Sequence, residues 1–217
     1  KRYPVEPGAI RDYDVDVGQH TPPDHHFLVG FMERFQEFYS EGGADASRRL
    51  VALAAAHHRL TWIHPFGDGN VRVARLQSQA GMAVMGLDGE GMWTLSRGLA
   101  RAKPAYYRHL HEADQERMND FDGCGNLSDK ALAEFCQFFL VRILDQMDFM
   151  VGLVSPFALV ERMESYFRFV RMDLDSRMRE RLARLLKALI TEGEIARGAV
   201  PDILRLKGTA ARTVIRR

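Results

Sequence analysis

Cysteine is nearly absent: two in 217 residues, Cys124 and Cys136. Their separation fits no metal or redox spacing, so a disulfide scaffold and a cysteine-ligated zinc site are excluded. The pair reads as free thiols in a reducing compartment, and a cytoplasmic location is expected. Charge of one sign is also lacking. Thirty Lys and Arg face 29 Asp and Glu, a net +1, which predicts no overall attraction to nucleic acid or to a membrane surface. No apolar run approaches the roughly 20 residues that span a bilayer, and no secretory leader is visible. Internal repeats, heptad runs and low-complexity tracts are missing too. An initiating Met is missing as well, so Lys1 is expected to open a piece of a longer chain. What remains is 46% hydrophobic and 27% charged, the composition of one sizeable globular domain, or of one domain with a small appendage.

The apolar periodicity is helical almost throughout, and an all-α fold is expected. Residues 1–25 are the exception, rich in Pro, Gly, Asp and His. Within them Asp12-Tyr13-Asp14-Val15-Asp16-Val17 alternates polar and apolar residues, a short strand signal, and from the pattern alone a strand and a plain surface arm both stay open. A helix is predicted over 24–39, with Phe27, Leu28, Phe31, Met32, Phe35 and Phe38 as a core stripe. Gly42-Gly43 ends it. Ser47 caps a second helix running to Thr61, with His57 and His58 as structural histidines near its end. A third is predicted over 71–85, burying Val73, Leu76, Ala80 and Val84. Segment 93–99 is ambiguous between helix and irregular chain. Further helices are predicted over 104–118, 128–154 and 156–170. Loop 119–126 contains an Asp-x-Asp-Gly fragment, but a twelve-residue Ca²⁺ loop starting at Asp120 would need a carboxylate where Ala131 stands. From Val160 onward fourteen Lys and Arg face eight Asp and Glu. Helices over 176–191, 199–206 and 209–217 give that basic end a helix-turn-helix pattern, with 209–217 in the place of a recognition helix. Three segments follow: 1–155, a connecting helix in 156–175, and 176–217.

One stretch concentrates chemistry: His64-Pro65-Phe66-Gly67-Asp68-Gly69-Asn70-Val71-Arg72-Val73-Ala74-Arg75. His64 can accept a proton near neutral pH. Asp68 is a hard oxygen ligand suited to Mg²⁺. Gly67 and Gly69 permit a tight turn and close approach of a ligand. Asn70 is a good N-cap for a helix beginning at Val71, whose free N–H groups would face an anion. Arg72 and Arg75 share a helix face and can clamp phosphates. Phe66 is expected to face inward.

This stretch resembles the signature of the Fic family, His-Pro-Phe-x-(Asp/Glu)-Gly-Asn-(Gly/Lys)-Arg-x-x-Arg, departing from it at Val71. The resemblance implies a Fic-type helical bundle with a short β-hairpin flap over about 11–23, in which Val15, Asp16 and Val17 would hold a target segment by main-chain pairing. It implies a protein adenylyltransferase that moves AMP from ATP, with Mg²⁺, to a Ser, Thr or Tyr hydroxyl of a target protein. His64 is then the catalytic base, Asp68 the metal ligand, and Gly67, Gly69, Asn70, Val71, Arg72 and Arg75 the nucleotide-binding set. Transfer of phosphoryl, UMP or phosphocholine stays open, as does a DNA-binding regulator with a degenerate Fic body. Members often carry a winged helix-turn-helix after the catalytic domain, so DNA docking and protein docking of 176–217 both stay open, as does a homodimer; no membrane partner is expected. The family's inhibitory Ser/Thr-x-x-x-Glu-(Gly/Asn) helix, whose Glu would pair with Arg75, is not matched: Ser176 and Glu180 have the spacing, but Arg181 follows. The inhibitory element is then upstream of Lys1, on another protein or absent, and upstream is the favoured expectation.

Overall fold

The computed structural model describes residues 6–39, 45–207 and 210–211. Among them the secondary structure is helical and no strand forms. The helices are α1 (Leu28–Tyr39), α2 (Ala46–Ile63), α3 (Asn70–Val84), α4 (Leu95–Arg101), α5 (Lys103–Ala113), α6 (Asp129–Val154), α7 (Pro156–Phe169), α8 (Ser176–Glu192) and α9 (Val200–Leu204), with 3₁₀ turns at His25–Phe27 and Gly89–Gly91. The all-α expectation holds. No single described helix is long and apolar enough to cross a membrane. The chain divides into two compact units, Lys1–Asp148 and Phe149–Arg217.

In the first unit α2 lies against both α1 and α3, and the helix ends follow local chemistry. Asp45, rather than the expected Ser47, caps α2: its side chain accepts from the Arg48 N–H at 2.9 Å. Thr94 caps α4, which resolves the ambiguous segment as helix, with Trp93, Leu95 and Leu99 buried as a plug. Ser128 accepts from the Ala131 N–H and starts α6, whose Phe135, Phe139 and Ile143 are core. Asp122 is consumed by the same junction, accepting from Ser128 Oγ, Lys130 N and Met118 N. Loop 119–126 is thereby a structural corner.

Two apolar faces differ from expectation. On α3 the buried residues are Asn70, Ala74, Ser78 and Met82, whereas Leu76 and Val84 are 70% and 85% exposed. The reason is His57 on α2. It is fully buried, with Nδ1 2.8 Å from Ser78 Oγ and Nε2 2.8 Å from the Tyr106 hydroxyl, so a small polar residue must face it. On α1 only Leu28 is fully buried. Phe31, Phe35 and Phe38 instead line an open groove with Trp62 and Ile63. Gly42-Gly43 lies outside the described residues.

His57 and His58 are buried within the helical core, as structural histidines, and burial favours their neutral form. Burial outweighs the backbone bond at Ala74 and brings His57 down to about 3, and it outweighs Asp114 in lowering His58 as well.

In the second unit α7 and α8 pack together. Asp175 caps α8 through the Met178 N–H, and Gly193 at φ 78° ends it. Val200, Leu204 and Ala211 form a small core against Met178, Leu182, Leu185, Ile195 and Leu206. The expected recognition helix 209–217 lies, apart from 210–211, outside the described residues.

The hairpin flap does not form among the described residues. Residues 11–23 run as an irregular arm with one isolated pair, Val17 with His20, each donating to the other at 3.0 Å. A longer ladder is blocked on one side by Pro22 and Pro23, which lack N–H groups. On the other side the arm is diverted by side-chain bonds: Asp14 accepts from the N–H of His25, and Arg11 is tied elsewhere.

Candidate active site

The signature folds as a C-terminal cap, a turn and a helix mouth. His64 ends α2 in the left-handed region, φ 51° and ψ 55°, with its N–H donating to the Leu60 carbonyl. Left-handed backbone is unfavourable for a residue with a Cβ, so other bonds must hold it. They come from Arg11, only 4% exposed. Its Nε donates to the His64 carbonyl at 2.9 Å, Nη1 to Tyr13 O at 2.8 Å and Nη2 to Pro23 O at 2.6 Å. Its N–H donates to Pro65 O at 2.8 Å. One buried guanidinium thus staples the arm to the signature turn.

The His64 ring is oriented by its own helix end. Nδ1 lies 3.2 Å from the Thr61 carbonyl, which can only accept. The proton therefore sits on Nδ1, and Nε2 carries the lone pair. Burial pushes His64 below its ordinary value, with nearby His20 and Arg11 acting in the same sense against the Thr61 bond and Asp68. A neutral ring with a free Nε2 is the state required of a general base.

Asn70 does not cap α3. Gly69 at φ 84° occupies the cap position with no side chain to offer. Asn70 is buried, and its amide binds the turn from within, accepting from Phe66 N at 2.9 Å and donating to Phe66 O at 2.7 Å. This crosslink fixes the turn and leaves the first N–H groups of α3 for an anion. Of the two glycines only Gly69 takes a positive φ; a Cβ there would also come within 3.3 Å of Arg72. Phe66 is half-buried.

Asp68 and Arg72 stand at the mouth of α3, both more than 70% exposed, and pair at 3.2 Å. Such an exposed pair is worth about 0.3–0.5 kcal/mol, so a cation can displace Arg72 from Asp68 cheaply. Arg75 lies over α5, its guanidinium 5.6 Å from the Tyr106 ring centroid. Its Nε is buried with no hydrogen-bond partner. A buried orphan donor, an exposed carboxylate and a glycine-lined helix mouth suit a polyphosphate carrying a divalent cation.

A cleft of about 340 Å³ opens beside His64, within the usual range for a small ligand, roughly 300–1,000 Å³. Val17, His20, Thr61, His64, Val71 and Tyr107 line it. His64 and Val71 of the signature thus share a cavity with Val17 of the arm. Val15 is half-buried and Asp16 exposed beside it. The N–H and C=O of Val17 are both engaged by His20, so main-chain groups for an added segment remain at residues 15 and 16.

Four groups at this site carry no signature. Arg11, His20 and Asp114 act across 53, 42 and 56 residues of sequence, on His64, Trp62 and His58 respectively. Tyr106 underlies Arg75 from α5. Only His20 carried a hint, as a histidine two residues before a proline pair.

Residues 1–79 match the family model described as Fic/DOC family. Relatives named "Protein adenylyltransferase Fic" from Drosophila willistoni, Drosophila grimshawi and Drosophila melanogaster are each 38% identical over 73 residues, 34% of this chain. The matched region spans about 15% of the length of each relative. Over residues 1–79, then, this chain is similar to the Fic/DOC family.

Proposed function

We propose that the N-terminal unit is a protein adenylyltransferase, joining AMP from ATP to a hydroxyl side chain of a target protein. The observation that carries this reading is the His64 ring, neutral and with Nε2 unprotonated, opening into the same cleft as Val71 of the α3 mouth. The target segment lies along residues 15–16. Its hydroxyl oxygen attacks the α-phosphorus, its proton passes to His64 Nε2, and the bond from the α-phosphorus to the bridging oxygen breaks to release pyrophosphate. The N–H groups at the start of α3 stabilise charge on the phosphate oxygens, and loss of one such donor costs about 3 kcal/mol of barrier. Arg75 Nε supplies the buried donor and Arg72 the mobile one. Asp68 would hold Mg²⁺, which when bound neutralises phosphate charge. The likeness to relatives named adenylyltransferases supports AMP over the other groups. Residues 176–217, with their basic surplus, serve as a docking element for a target protein or for DNA.

The test is incubation with α-labelled ATP, Mg²⁺ and a lysate, beside His64→Ala, with mass spectrometry of labelled proteins. Label that appears equally with His64→Ala removes His64 from its role. An added mass other than that of AMP reassigns the transferred group.

A further inference from the structure

We propose that Asp114, acting through His20, is a positioning pair that latches the turn at residues 17–20 onto the helical bundle and so sets the wall of the cleft beside His64. Only its consequence for rate rests on the transferase reading.

The latch is a buried chain of three side chains. His20 and Asp114 are each 14% exposed at the side chain, and His58 is fully buried. His20 Nδ1 lies 3.2 Å from Asp114 Oδ2, and Nε2 lies 2.8 Å from the Trp62 carbonyl. Both ring nitrogens face acceptors. A neutral imidazole has one N–H and would set its lone pair against an oxygen, so only the doubly protonated ring satisfies both. His58 completes the carboxylate. Its Nδ1 faces the Arg59 guanidinium at 3.4 Å and must accept, so Nε2–H donates to Asp114 Oδ1 at 3.0 Å. Each oxygen of Asp114 thus has one donor, and the charge of His20 has one counter-ion.

The turn depends on this ring. Val17, Gly18 and Gln19 are exposed, and the Val17–His20 backbone pair ties the turn only to itself. The other groups facing His20 are the His64 ring, with centroids 6.3 Å apart, and the Arg11 cation. His111 of α5 also lines the cleft. Burial and Arg11 oppose the charge on His20, while Asp114 and the Trp62 carbonyl favour it and prevail, so its affinity for the proton is raised. His64 is shifted the opposite way. The latch therefore holds below the raised His20 value and opens as pH rises through it, while His64 is a free base above its lowered value. Between the two the base is neutral and the cleft wall is fixed.

The test uses the full chain. NMR titration of the histidine rings is expected to place the His20 midpoint above 6.5. Over the same pH interval the heteronuclear NOE of the Val17 and His20 amides should fall. In Asp114→Asn the His20 midpoint should drop by about one unit or more, a tenfold loss of proton affinity. A wild-type His20 midpoint at or below 6.5, or amide NOE values that stay constant through the His20 titration, overturns the latch. These wild-type readings decide the matter even if Asp114→Asn does not fold. In the labelling assay the alkaline limb of the pH profile should move to lower pH in Asp114→Asn and return with Asp114→Glu; a limb unmoved in Asp114→Asn counts against the pair. If wild-type protein transfers no label at any pH while His20 titrates as stated, the transferase reading falls and the latch stands.

Discussion

Replacing Arg11 by Met should be the most damaging single change in the arm. The thioether preserves much of the buried stem but removes three charged hydrogen bonds, to His64 O, Tyr13 O and Pro23 O at 2.9, 2.8 and 2.6 Å. A hydrogen bond from a charged donor contributes about 1.5–3 kcal/mol, so simple addition gives roughly 4.5–9 kcal/mol. That is an upper bound. Two of the three carbonyls, Tyr13 O and Pro23 O, belong to an arm beside solvent and regain water once the guanidinium is gone, and bonds from one group are not additive. About 3 kcal/mol is expected. The His64 turn should feel it directly, because the lost Nε bond is one restraint on a left-handed residue. Denaturant unfolding followed by tryptophan fluorescence reads the effect, since Trp62 and Trp93 both belong to the first unit. Arg11→Lys should recover less than half, because an ammonium cannot span three carbonyls as a planar fork does. A loss below about 1 kcal/mol for Arg11→Met, against the range for charged bonds, would refute the claim that this guanidinium organises the site.

Other expectations concern pH, packing and rate. His57, at about 3 when folded and near 6.5 when unfolded, binds its proton more tightly in the unfolded chain. Its contribution is intact above pH 6.5 and is lost as pH falls toward 3, by at most about 1.4 kcal/mol per unit, which denaturation across pH 7 to 4 in wild type and His57→Gln will measure. Gly98→Ala should cost about 1–3 kcal/mol in thermal unfolding, since its Cβ would meet Gln146 Cγ at 2.9 Å and the Arg142 carbonyl at 3.1 Å. Gly81→Ala, facing the movable tip of Leu53, should cost less. His64→Ala should slow labelling by about 10²–10⁴-fold, and the acid limb of the wild-type profile should lie below pH 6.5 because burial lowers the base.

The signature stretch was legible because its chemistry is local: base, carboxylate, turn and helix mouth lie within twelve residues. Among the described residues the helix order was legible for the same reason. What periodicity misread was phase and face. Leu76 and Val84 read as core, but a buried histidine on the neighbouring helix claimed the Ser78 face. Asn70 has a capping residue's chemistry, yet its side chain bonds Phe66 because the chain folds back over it. The arm's alternation suggested a hairpin, and Arg11 and Asp14 overrode it through bonds to His64 and His25. Each misreading traces to a partner distant in sequence or to a turn whose path the pattern does not encode.

The left-handed backbone of His64 has an evolutionary corollary. Glycine occupies that region without the penalty of about 1–2 kcal/mol that other residues bear, and asparagine tolerates it well. On the transferase reading, a copy of this gene that exchanges His64 for either residue loses catalysis while its scaffold relaxes. On that same reading inactive descendants are thermodynamically easy to reach, and selection for turnover would be what keeps a strained imidazole in place.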